Sequence, residues 1–270
     1  MILFFLISSI LFSYSSANTI SSTQGVETKS KTSQKKQLSK EEMKKMQETR
    51  NKIMMMLQSK MKNLDINKIY DNYKKKPVLN PNVSSILGRE YGDKKAKYKM
   101  LIFSDFACSH CGKASSDLRS RVDENKNLVN LNYIFFPLDK DCNKNLSGKL
   151  SDYSCPAFKL ALCSEKQGKL KEAIPYLYSK KPDLSKKEKL DLDKLVASMQ
   201  KELKLKDLKE CLSSSWLKEK IIAENNIYKG IKIRGTPIVL LNGKELGPIY
   251  KSNVLFKQFL KKLDSEENSK

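Results

Sequence analysis

Cys108-Ser109-His110-Cys111 places two thiols one helical turn apart, directly after the mostly apolar run Tyr98–Phe106. A C-x-x-C that follows a strand and opens a helix is the arrangement used for thiol–disulfide exchange. Free N–H groups and the macrodipole at a helix N-terminus favour an anion, and the thiolate, not the thiol, is the nucleophile. Cys108 is therefore the expected attacking group. Cys111, one turn inside, is expected to close the disulfide and release a bound substrate. His110, the single His of the chain, stands between them and can stabilise the thiolate further. The competing reading is half of a zinc site, but structural zinc takes four ligands and the sequence has no second C-x-x-C or His pair. No metal and no cofactor are expected.

The elements that must hold this pair can be read around it. Tyr98–Phe106 reads as a strand, 109–123 as the helix it feeds, and Leu131–Phe136 as a second strand stopped by Pro137. A Lys-rich block, about 142–228, reads as helices. Ser185-Lys186-Lys187-Glu188 is a capping box there, and Leu192, Leu195, Val196, Met199 and Leu203 form one apolar face. Pro237–Leu241 reads as a strand, Asn242-Gly243 as a hairpin turn, Lys244–Leu246 as its return, and Asn253–Leu263 as a closing amphipathic helix. The order is that of an α/β chain with a long helical insertion.

These residues resemble a known family. Phe103-Ser104-Asp105-Phe106-Ala107-Cys108-Ser109-His110-Cys111 is similar to the active-site strand and helix start of DsbA-like thioredoxin-fold proteins, and Arg234-Gly235-Thr236-Pro237 to their cis-proline loop. Phe136-Pro137-Leu138-Asp139 with Cys142-Asn143 resembles the DsbA-type domains found beside vitamin K epoxide reductase-like membrane partners. The resemblance covers roughly 83–263. It implies a thioredoxin fold with a helical insertion, preceded by an N-terminal helical segment. It also implies a cis Pro237 facing Cys108, with Gly235, Thr236 and Pro237 pairing with the substrate backbone. The activity implied is disulfide exchange with thiol-containing substrate proteins, and a membrane quinone-linked partner would reoxidise the pair. Two positions depart from the family pattern. Ile102 and Phe103 stand where many such enzymes bury an acid, with Asp105 the nearest carboxylate, and Thr236 rather than Val precedes Pro237. The second choice occurs in oxidase-type and isomerase-type relatives alike, so an oxidase is preferred while isomerase or reductase stays open.

Four more cysteines, Cys142, Cys155, Cys163 and Cys211, allow three pairings. If Pro156 starts a helix through Cys163, as its favoured first-turn place suggests, Cys155 and Cys163 lie about 12 Å apart. A disulfide needs Cα atoms within about 7 Å. That excludes Cys155–Cys163 and with it Cys142–Cys211. Cys142–Cys155 with Cys163–Cys211 is preferred, because the first closes a short loop. Buried free thiols are the alternative.

The chain has 270 residues, enough for one or two domains and a full core. With 10 Gly and 8 Pro it is neither collagen-like nor linker-rich. Its 52 Lys+Arg against 30 Asp+Glu give a net charge of +22, yet only Arg50, Arg89, Arg119, Arg121 and Arg234 are Arg. Base and phosphate readout favours Arg forks, so specific nucleic-acid binding is not expected. Scattered Lys fits a solvated surface with nonspecific attraction to polyanions. A basic exported binding protein on the same scaffold is the competing function class.

Ile2–Phe12 is apolar but for Ser8 and Ser9, and Ser15-Ser16-Ala17 is a small-x-small stretch. Residues 1–17 therefore read as a signal peptide cleaved near Ala17, with an uncleaved anchor as the alternative because Lys and Arg are missing ahead of the apolar run. The mature protein is expected in a periplasm or outside the cell, where disulfides persist. Residues 18–82 read as a Lys- and Met-rich spacer and helix, and 83–270 as the catalytic domain. Ser39-Lys40-Glu41-Glu42 is a capping box. Met43, Met46, Ile53, Leu57, Met61 and Leu64 follow on one face. That face suits either packing on its own domain or a homodimer contact. The chemistry is expected to survive in a chain started near Val83.

Overall fold

The computed structural model describes residues 40–62, 65–79, 89–183, 189–227, 229, 231, 233 and 235–268. The signal peptide at 1–17, the spacer up to Ser39, the capping box at 185–188, Val83 and Arg234 lie outside the described residues.

Contacts divide the chain into two compact units, Met1–Lys62 and Asn63–Lys270. The first contains helix α1, Lys40–Lys62, with Glu41 and Glu42 in its first turn. These acids sit where the helix dipole favours negative charge. Met43, Met46 and Met55 on it are exposed.

The second unit begins before residue 83. Helix α2, Ile66–Lys74, is capped by the Asp65 carboxylate, which accepts from Asn67 N and Lys68 N. It buries Tyr70 and Tyr73. Tyr73 meets Phe259 edge-on with ring centroids 5.1 Å apart, and its hydroxyl donates to the Leu241 carbonyl at 2.7 Å. These contacts bear on the expectation that the chemistry survives in a chain started near Val83. Such a chain would lack two aromatic side chains of the core.

Four strands form one sheet in the order β2-β1-β3-β4: β1 Tyr98–Ser104, β2 Val129–Phe135, β3 Ile238–Leu241 and β4 Lys244–Glu245. β1 runs parallel to β2 and antiparallel to β3. The parallel pair needs a crossover, supplied by helix α3, Cys111–Glu124. On α3 the buried residues Cys111, Ala114, Ser115, Leu118 and Val122 follow helical spacing. β3 and β4 turn back at Asn242 and Gly243, whose φ values of 45° and 80° fit a tight primed hairpin turn.

Successive β1 residues face opposite sides of the sheet. Tyr98, Met100 and Ile102 enter the larger core with Leu118, Val122, Phe256 and Phe259. Phe103 enters a smaller one with Ile134, Phe136, Ile227 and Leu240.

The insertion comprises helices α4 Ser154–Lys166, α5 Leu170–Ser179, α6 Leu192–Leu203, α7 Leu208–Ser213 and α8 Ser215–Ile227. Asp191 caps α6 by accepting from Lys194 N at 2.9 Å. Cys155 and Cys163 share α4. The disulfides join Cys142 to Cys155 and Cys163 to Cys211, with Cα–Cα distances of 5.5 and 6.0 Å. A 3-10 turn, Gly247–Lys251, leads into the last helix, α9, Asn253–Glu267. Among the described residues, no helix is long and apolar enough to cross a membrane.

Candidate active site

β1 delivers the chain at Ser104 to a turn, 105–110, that ends where α3 begins. Asp105 is buried, and its Oδ1 accepts from Ala107 N at 2.7 Å and Cys108 N at 3.0 Å. This is an Asx-type turn. Its other oxygen accepts from Leu138 N at 3.0 Å and from the Ser154 hydroxyl. The acid named from the sequence thus serves as a four-donor acceptor that shapes the turn. Burial raises its pKa, and the hydrogen bonds from Ser154, Leu138, Ala107 and Cys108 oppose that rise.

Cys108 and Cys111 are both free thiols; Cys108 is partly exposed and Cys111 buried. Their environments drive the two sulfurs apart. Cys108 falls from the ordinary 9.0 to about 6. The largest cause is the hydrogen bond from Cys111; burial opposes it, and Thr236 and the backbone N–H groups of His110 and Cys111 assist. Cys111 is pushed above the usual thiol range, first by its hydrogen bond to Cys108, then by burial and by negative charge on Cys108. The more exposed sulfur is the one that ionises more readily. His110 takes part through its main chain, while its ring Nδ1 lies 3.2 Å from Ser109 Oγ.

β3 brings the second loop to the pair. The Thr236–Pro237 peptide is cis, and the Cys108 thiol donates to the Thr236 carbonyl at 3.3 Å. The Thr236 hydroxyl is buried with no partner of good hydrogen-bond geometry, yet it stands close enough to both sulfurs to favour a thiolate at either. A Cβ at Gly235 would meet nothing within 4 Å. The structure thus gathers Cys108, Cys111, the His110 main chain and Thr236-Pro237, with Gly235 adjoining in sequence.

The sequence did not point to Tyr178. This α5 residue closes over the active-site helix at Gly112, where a Cβ would meet its ring at 3.2 Å. Its hydroxyl bonds to Ser104 Oγ at 2.5 Å, and its ring lies 4.9 Å from that of Phe106. Only the glycine inside the C-x-x-C-G stretch hinted at a close neighbour. Burial, and then charge on Cys111, raise the Tyr178 pKa well above 10.0. The insertion therefore sets an aromatic residue against the first turn of the helix that carries Cys111.

The Thioredoxin family matches residues 84–264 of this chain. No curated protein matches it. Among solved structures, oxidised BdbD from Bacillus subtilis is similar with 17% identity and a TM-score of 0.54, covering 69% of this chain and 97% of that one. A thioredoxin-like oxidoreductase from Silicibacter pomeroyi is similar with 16% identity and a TM-score of 0.50, covering 68% and 98%.

Proposed function

The chain belongs to the Thioredoxin family, and from that membership we propose that it is an exported thiol–disulfide oxidoreductase working through Cys108 and Cys111. One observation carries this reading. The two sulfurs of one C-x-x-C are driven in opposite directions, Cys108 down to about 6 and Cys111 up. An attacking thiol must be ionised near neutral pH, whereas a resolving thiol gains by staying protonated until the mixed disulfide forms.

In the oxidising direction the Cys108–Cys111 disulfide is attacked at Cys108 by a substrate thiolate. The Cys108–Cys111 bond breaks, Cys111 leaves as a thiolate, and a mixed disulfide forms. A second substrate thiolate then attacks the substrate sulfur. The substrate leaves with its new disulfide, and the enzyme pair holds the two electrons. Gly235, Thr236 and Pro237 are assigned the substrate backbone, because the Thr236 carbonyl accepts from Cys108 and Gly235 and Pro237 flank it in sequence. A membrane quinone-linked partner is assigned the reoxidation, on the resemblance of Phe136-Pro137-Leu138-Asp139 to domains that neighbour such partners. Export is supported by the apolar run Ile2–Phe12 and by two disulfides besides the pair. The Met-bearing face of α1 is assigned a homodimer contact.

The redox potential of the pair tests the direction: a value near about −120 mV supports an oxidase, and one near about −270 mV a reductant. Refolding of reduced, denatured ribonuclease and reduction of insulin test the activity. Failure in both assays would favour a basic binding protein, the reading supported by the +22 charge.

A further inference from the structure

Asp105 is 1% exposed, and a buried carboxylate is costly unless its lone pairs are filled. Its four donors come from three separate segments. Ala107 N and Cys108 N belong to the active-site turn, Leu138 N to the loop after β2, and the Ser154 hydroxyl to the first residue of α4. One oxygen thus shapes the turn and the other moors it to the body of the domain. The main chain adds Cys108 N to Asp105 O and Cys111 N to Cys108 O, both at 3.3 Å.

The thiolate at Cys108 is favoured by the Cys111 thiol, Thr236 and the backbone N–H groups of His110 and Cys111, with no cation among these causes. Stabilisation of that kind depends on aim, because a hydrogen bond weakens steeply as its angle closes. A turn free to rock would lose it.

We propose that Asp105 is a positioning residue for disulfide exchange: its carboxylate fixes the 105–108 turn so that the Cys108 sulfur is held at the start of α3 and against the Thr236 carbonyl. This rests on the reading of Cys108 as the attacking thiol. It makes an opposite prediction from a purely electrostatic role. A negative charge beside Cys108 would hinder ionisation, so its removal would lower the Cys108 pKa. Loss of positioning raises it.

The test is the pH dependence of iodoacetamide alkylation at Cys108 in the reduced full-length chain, read by peptide mass. Asp105→Asn keeps an acceptor for the turn but sets an NH2 group against the Leu138 N–H. Asp105→Ala removes both functions, and Ser154→Ala removes one mooring bond. The alkylation midpoint should rise in all three, most in Asp105→Ala, where the rate at pH 6 falls about fivefold to tenfold. Should Asp105→Ala fail to fold, the milder Asp105→Asn and Ser154→Ala carry the test. Glu224→Gln, which disturbs a distant buried ion pair, serves as the destabilised control and should leave the midpoint in place. Midpoints that stay or fall in folded Asp105→Asn and Ser154→Ala would overturn the proposal. A wild-type chain whose Cys108 alkylates with the low midpoint yet exchanges with no disulfide would remove the functional reading and leave the role of Asp105 standing.

Discussion

The Cys108 thiol donates its proton to the Thr236 carbonyl at 3.3 Å, tying the turn after β1 to the residue two places before β3. The antiparallel pairing of β1 with β3 makes that contact possible. Ionisation or oxidation of Cys108 removes that proton and leaves the carbonyl without this donor.

The two sulfurs should separate cleanly by mutation. Cys111→Ala leaves nothing to attack a mixed disulfide back, so covalent adducts should accumulate in the native compartment. They should appear on non-reducing gels and vanish with reductant. Cys108→Ala should form none. Equal adducts in both variants, or adducts only in Cys108→Ala, would reverse the assignment.

Stability of the reduced protein should depend on pH through Cys108. Its folded pKa of about 6 lies below the ordinary 9.0. Between those values the unfolded chain holds more protons than the folded one, so stability rises with pH. The gain is complete above about 9 and is lost as pH falls through about 6. Cys111, whose folded pKa is raised, is protonated in both states until the unfolded thiol begins to ionise about one pH unit below 9.0, where it adds an opposing slope. Urea midpoints of the reduced wild type should therefore climb from pH 6 to pH 8, while Cys108→Ala should lack that component.

The parts of this structure that were legible in the sequence are local. The apolar run at Tyr98, the C-x-x-C and the Asn242-Gly243 turn each carry their signal within a few residues, and β1, α3 and the β3–β4 hairpin lie where those signals put them. What was missed is nonlocal. Helix α2 contains four Ile and Tyr residues among Asn, Asp and Lys and reads as polar, yet Tyr70 and Tyr73 are buried against α9. Arg89 and Glu224 look like two of many surface charges in a chain this charged, and only the fold, which brings residues 135 positions apart into contact, shows them as a buried pair. Tyr178 reached Gly112 from another helix, which no spacing rule could disclose.

Removing α2 should cost more than removing α1. A chain starting at Asn63 keeps every residue of the second unit. Within it Tyr73 is 6% exposed, packs edge-on to Phe259 and bonds Leu241 O. Tyr73→Ala should lower unfolding stability by about 3 kcal/mol, typical for emptying a large buried aromatic site. Tyr73→Phe should lose about 1 kcal/mol, the worth of the hydrogen bond. Urea denaturation of both variants would decide it, and equal small losses would mean that α2 is peripheral.

The buried ion pair should govern stability without touching the chemistry. The Arg89 guanidinium bonds Glu224 through Nη1 at 3.0 Å and Nη2 at 2.6 Å, and Glu165 through Nε at 2.6 Å and Nη2 at 2.5 Å. The Glu224 side chain is 0% exposed and that of Arg89 is 1% exposed. Lys220 lies 3.4 Å from Glu224 and 3.7 Å from Glu165. Two carboxylates around one guanidinium and one ammonium balance in charge, so Glu224→Gln leaves a buried net positive charge. Breaking such a pair on one side costs about 3–5 kcal/mol, and the lower end applies here because Glu165 remains. Arg89→Met combined with Glu224→Met removes both charges, and its loss should be smaller than the sum of the single losses. Thermal unfolding of the two single variants and the double variant measures that coupling. Strictly additive losses would show that Arg89 and Glu224 stabilise the fold independently.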